Sequence, residues 1–328
     1  MVSVAPLDPG GYVVATTFLG EQPVFAVGDG LVVMLTDAGE RRITLHEGGL
    51  LAACRSLEGD ALITGGDDGT VRRMSADGSH ETLAELPRKW IDLLAAGPQG
   101  SVAFGAGRIA QVRLASGEIR DFSQDRAVGG LAFAPKGLRL AVARYDGATL
   151  QFVNAAAQAQ ELAWKGAHKG VVFSPDGKYL VTCMQENALH GWRLADGQDM
   201  RMTGYPGKVK SVSWSAKGRY LATSGANAAI LWPFFGKTGP MGQQPLQLGA
   251  RSDQLVTHVA CHPEEEVVAI GYQDGMVLAV RFSDNREVLL RRPGEGEISA
   301  LAWDQAGFRL AFGTSAGEAG IISLDGSG

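Results

Sequence analysis

One phrase returns along the whole chain, and internal repetition constrains a fold more than any local signal. It consists of an aromatic or small residue, a polar turn holding Gly, and an apolar run that ends at a second Gly-rich turn. The clearest copy is Phe173-Ser174-Pro175-Asp176-Gly177-Lys178-Tyr179-Leu180, and Trp214-Ser215-Ala216-Lys217-Gly218-Arg219-Tyr220-Leu221 repeats it closely. The stretches Phe133 to Leu140 and Trp303 to Leu310 have the same form, and weaker copies end at Phe25, Leu62, Val102 and Val268. The eight anchors, Phe25, Leu62, Val102, Leu140, Leu180, Leu221, Val268 and Leu310, are 37, 40, 38, 40, 41, 47 and 42 residues apart. The longest step contains a Gly- and Pro-rich insertion, Pro233 to Gln244, that reads as a surface loop.

Within each unit the period is that of strands. Leu221-Ala222-Thr223-Ser224 leads through Gly225-Ala226-Asn227 to Ala229-Ile230-Leu231-Trp232, two short apolar runs joined by a tight turn. Asp-Gly pairs at 68–69, 146–147 and 274–275 supply the positive φ angles of hairpins. No window has strong helical periodicity. Four short strands per forty-odd residues, repeated, predict an all-β chain folded as a single β-propeller domain over residues 1–328. Eight four-stranded blades are expected, with seven as the alternative. The last unit stops after its third strand, Ala319 to Leu324, and Val2 to Pro6 is placed to supply the fourth and close the ring.

The units resemble the WD-repeat family of propellers over nearly the entire chain, in a divergent, bacterial-type version. Trp192 in Gly191-Trp192-Arg193-Leu194 and Trp232 in Ile230-Leu231-Trp232 match that family's tryptophan at the end of the third strand. His168 in Gly166-Ala167-His168 resembles its Gly-His pair, interrupted by one residue. No third strand ends in the family's Trp-Asp pair, and most units lack both His and Trp. Its Asp-His-Ser-Trp hydrogen-bond network is therefore expected to be largely absent, leaving the blades to apolar packing.

Composition and motifs exclude more than they offer. Glycine supplies 45 of 328 residues, about twice its usual share, and charged residues make up 20%. No stretch approaches the roughly 18 apolar residues of a spanning helix, so no membrane association is expected. Three widely spaced cysteines, Cys54, Cys183 and Cys261, outline no disulfide framework, and the N-terminus lacks the marks of a signal peptide. Both favour the reducing cytoplasm. Gly313-Thr314-Ser315-Ala316-Gly317 fits a nucleophile elbow, but a strand rather than a helix should follow it. Gly236-Lys237-Thr238 ends like a phosphate-binding loop, yet Leu231 stands where its first Gly is needed and Pro240 follows. Ser283-Asp284-Asn285 has no Ser-x-x-Lys partner. His258 and His262, on one strand, would lie roughly 13 Å apart, too far to share a metal. The acidic runs Asp67-Asp68 and Glu264-Glu265-Glu266 read as solvated turn residues. No catalytic residue, cofactor or metal is expected.

The loops between units carry the functional signal. Arg88, Lys89, Arg126, Lys165, Lys169, Lys208, Arg251, Arg291 and Arg292 outnumber Glu47, Asp125, Asp253 and Glu295 there, on a chain whose net charge is −5. Such asymmetry steers an acidic partner segment. Trp90 and Tyr205 fall beside these charges, and Tyr145 and Tyr272 occupy hairpin turns; Trp, Tyr and Arg dominate interface hot spots. In the family resembled, this face most often receives partners. The expectation is a scaffold that binds a protein partner through Arg88, Lys89, Trp90, Tyr145, Lys169, Tyr205, Lys208 and Tyr272. The alternative is a small-molecule or metal-binding propeller, or an enzyme, that uses His258, Arg55, Asp92 and Lys210 on inner strands. Nucleic acid is disfavoured by the overall charge.

Overall fold

The repeated phrase folds as a self-capped turn. The Ser174 hydroxyl donates to Asp176 (2.7 Å) and accepts from the Tyr179 N–H (2.9 Å), while the Lys178 N–H donates to Asp176 (3.0 Å). Gly177 takes φ 74°, a left-handed conformation that costs a residue with a Cβ more. Ser56 and Ser215 accept backbone N–H groups in the same way, and Asp304 does so in the last unit. Each turn delivers the next strand with its anchor facing inward, and all eight anchors are at most 2% exposed.

The computed structural model describes residues 2–324 apart from 156 and 237; Lys237 of the rejected phosphate-loop triplet and the end of the proposed 1–328 domain lie outside them. The chain divides into two compact units, residues 1–43 with 205–328 and residues 44–204. The first contains four four-stranded sheets. Three are meanders spanning 13–44, 212–248 and 256–291, and the fourth joins Ile298–Trp303, Arg309–Thr314 and Ala319–Leu324 to the N-terminal strand Val2–Leu7. That last pairing is antiparallel from Val2↔Leu324 to Leu7↔Ala319, so the two ends of the chain share a sheet as expected. A strand, not a helix, follows Gly317.

The second unit contains four-stranded sheets spanning 50–85 and 93–121, and one six-stranded sheet spanning 128–202. Among the described residues the total is seven sheets, which corrects the expectation of eight separate four-stranded blades to the lower alternative. The fourth and fifth sequence units share the six-stranded sheet. Its strands Arg139–Phe152 and Gln160–Phe173 are 14 residues each. The first doubles back at Asp146-Gly147, so that at the far end the Val153 N–H donates to the Leu138 carbonyl, but Tyr145 also pairs with Ala167. That pair joins one unit to the next in a single sheet, with a register shift between Tyr145 and Gly147.

Apolar side chains fill the space between neighbouring sheets. Leu231, Val259, Ile270, Leu278 and Val280 form one such layer in the first unit, and Leu140, Val142, Val112 and Val128 one in the second. Each fully buried side chain of this size contributes about 1.5–3 kcal/mol. Trp192 is 2% exposed and Phe173 8%, while Trp214, Trp303, Phe133 and Trp232 are half-buried.

Candidate partner-binding site

The loop Pro87 to Trp90 is fixed by backbone hydrogen bonds. Leu86 N–H donates to Gly69, Lys89 N–H to Leu86 and Ile91 N–H to Gly66, with Arg88 in the left-handed region at φ 62°. A tight turn pinned at both ends leaves its side chains outside, and Trp90 is 69% exposed. Arg88 and Lys89 are exposed beside it. Together with Asp92 and the turn Gly107-Arg108 they border an open recess of about 530 Å³. Arg108 was missed in the loop count because it belongs to a hairpin turn rather than an inter-unit loop; its place next to Gly107 was the available signal.

Neighbouring loops of the second unit continue this surface in series. Val128 N–H donates to Gly107, Tyr145 N–H to Ala127, and Gln185 N–H to Ala167. Tyr145 is 43% exposed, with the Arg126 guanidinium 5.8 Å from its ring centroid, a cation–π contact. Lys169 is exposed at a bulge in Gln160–Phe173. Arg88, Lys89, Trp90, Tyr145 and Lys169 therefore share one unit and one series of linked loops. Lys208 is exposed in the other unit.

Tyr205 and Tyr272 are not surface residues, which corrects both expectations. Tyr205 is 8% exposed; its hydroxyl lies 2.7 Å from Thr223 Oγ1 and accepts the Trp232 indole N–H at 2.6 Å. Tyr272 is fully buried and its hydroxyl donates to the Gly249 carbonyl. Burial pushes the Tyr272 phenol beyond the usual tyrosine range. Of the basic loop residues, Arg251 and Arg291 are engaged by Glu287 and Glu318, which reduces the charge they offer.

The polar network expected to be largely absent is present in part. His46, 1% exposed, lies 3.1 Å from Asp68 and 2.9 Å from Thr64, and Asp67 accepts the Gly49 N–H at 2.8 Å, so Asp67-Asp68 is not simply solvated. His168 lies 2.7 Å from Thr182 and 5.6 Å, between ring centroids, from Trp192. His262 is held by the Gly307 carbonyl (3.1 Å) and by the N–H groups of Glu264 and Glu265. Of the inner-strand set, Lys210 reaches Glu297 at 3.9 Å, and burial lowers the His258 pKa to about 4.

Comparison with solved structures places the architecture. The C-terminal WD40 domain of Sif2 superposes with a TM-score of 0.80 at 14% identity, covering 99% of each chain. The fold is a β-propeller. The computationally designed Ika8 protein also shares it, with a TM-score of 0.78, 19% identity and coverage of 97% of this chain and 98% of that one. Residues 198–232 match the WD domain, G-beta repeat model, and residues 259–327 the WD40 domain of anaphase-promoting complex subunit 4. WD repeat-containing protein 55 of Mus musculus is 24% identical over 226 residues, and that of Bos taurus 25% over the same length. These alignments cover 65% of this chain and 57–58% of the relatives, so the chain spans little more than half of their length.

Proposed function

We propose that residues 1–328 act as one WD-repeat propeller domain, a non-catalytic scaffold of the reducing cytoplasm that binds a protein partner through its inter-unit loops. The observation that carries this reading is Trp90, 69% exposed on a hydrogen-bonded turn directly after the cations Arg88 and Lys89, lining a recess that a third cation, Arg108, also borders. A rigid aromatic beside guanidinium and ammonium groups is the combination that anchors interfaces at low entropic cost. Tyr145 and Lys169 extend the contact, Lys208 is a further exposed cation of the other unit, and the basic surplus selects an acidic segment of the partner. The WD-repeat matches support the scaffold class, since such propellers work by presenting loops. Three free thiols, each raised to about 12 by burial, fit a compartment where cysteines stay reduced.

The test is affinity capture from the native cell's lysate with wild type and a Lys89→Glu/Trp90→Ala variant whose fold is verified by circular dichroism. Retention of one protein by the wild type and its loss by the variant is the expected result. Equal retention by both would remove this face from the function.

A further inference from the structure

The outer strands of the sheets differ in how they guard their unpaired edges. Gly39–Thr44 carries Glu40, Arg41 and Arg42, His80–Glu85 carries Glu81 and Glu85, and Leu246–Leu248 is three residues long. Charge and shortness are the usual protections of an edge. The strand Glu287–Arg291 lacks them at its middle: Val288 and Leu289 are 42% and 46% exposed on the last strand of its sheet.

Beside that edge, within the same unit, lies an apolar recess of about 300 Å³ lined by Val267, Val288, Leu290, Trp303, Phe308 and Leu324, with Phe308 56% exposed at its mouth. Glu265 borders the recess, between Glu264 and Glu266 on the turn that follows His262. Among the described residues none of these three carboxylates makes an ion pair, the nearby Arg281, which Glu265 influences, being paired with Asp284, and the Glu266 Oε1 is buried without a hydrogen-bond partner. The turn is held toward the recess by His262, whose ring lies 5.0 Å from that of Trp303. An edge with an apolar middle, an apolar recess and a run of three carboxylates thus meet at one place, near the turns that join first to second strands rather than on the loops that carry Trp90.

We propose that this edge docks an extended peptide of a partner protein, added as a fifth strand along Glu287–Arg291. Its backbone pairs with the free edge, an alternate apolar side chain enters the recess against Phe308 and Trp303, and a Lys or Arg at one end meets Glu264, Glu265 and Glu266. Backbone pairing supplies affinity, while the pocket and the charge supply selectivity. This site is separate from the Trp90 face, and either can fail without the other.

The test is selection of a random-peptide display library on the purified chain, counter-selected on a Val288→Lys variant. The expected result is enrichment of sequences that alternate apolar residues and carry Lys or Arg at one end. A synthetic peptide from that set should bind about tenfold more weakly to Phe308→Ala and to Glu264→Gln/Glu265→Gln/Glu266→Gln. Insertion of Pro at its centre should abolish binding. No enrichment, enrichment of acidic sequences, or indifference to all three changes would overturn the proposal. So would a wild-type dimer in sedimentation that Val288→Lys converts to monomer, since the occupant would then be a second copy of this edge.

Discussion

Thr64, Thr182 and Thr223 stand two residues beyond the anchors Leu62, Leu180 and Leu221, and each hydroxyl meets a side chain from the segment before its anchor: His46, His168 or Tyr205. In the other five units the same position is Val27, Phe104, Val142, Ile270 or Phe312, all buried. At this position a hydroxyl occurs where a ring is brought to it as a partner, because an unpaired buried polar group costs about 1–3 kcal/mol. The three Thr residues were the sequence signal for this network. It was overlooked for Tyr205 because a tyrosine among loop cations also has the composition of an interface. We expect Tyr205→Phe to destabilise the chain by about 1–3 kcal/mol in denaturant unfolding, since Thr223 loses one bond and the Trp232 indole its acceptor. Partner capture by the refolded variant should be unchanged. Adding Thr223→Val should cost less than the sum of the two single changes, because each removes the other's orphan.

At the scale of elements, loop placement follows from close backbone approach. Gly69 has φ 79°, and a Cβ there would lie 2.4 Å from the Leu86 carbonyl oxygen and 3.1 Å from that of Lys89. The Asp68-Gly69 turn therefore sets where the Trp90 loop rests. Gly69→Ala should strain the turn, displace residues 86–90 and weaken partner capture without touching a contact residue. Hydrogen exchange at the Leu86 and Ile91 amides is the measurement, and unchanged protection would show that the loop is held elsewhere. Short strands and Asp-Gly turns were legible because short apolar runs and positive φ are local properties. The joining of the fourth and fifth units was not. It depends on Tyr145 pairing with Ala167, 22 positions away, and no local pattern specifies which of two adjacent edges a strand will meet.

For the whole molecule, acid is the relevant stress. Burial lowers the pKa of His46 and His168 and brings that of His190 to about 3, His168 and Arg201 adding to the effect at His190. His190 is fully buried, stacked on Trp164 at 4.0 Å between centroids, and neither ring nitrogen has a hydrogen-bond partner. The folded chain keeps these imidazoles neutral while the unfolded chain protonates them below about 6.5. Stability is therefore complete above pH 6.5 and falls as pH drops toward 3, His190 alone accounting for about 2 kcal/mol at pH 5. Denaturant unfolding at pH 7.5 and pH 5 measures this, and His190→Gln should remove that share of the slope; an unaltered slope would assign it to other groups. The sequence by itself determined the all-β class, the repeat, the anchors and the shared sheet of the two chain ends, because a periodic apolar pattern has few ways to bury itself. Tertiary structure alone decided which loop aromatics face solvent, which threonines are paired, and how units join into sheets. Those outcomes depend on contacts between residues distant in sequence, whose distances a linear pattern does not contain.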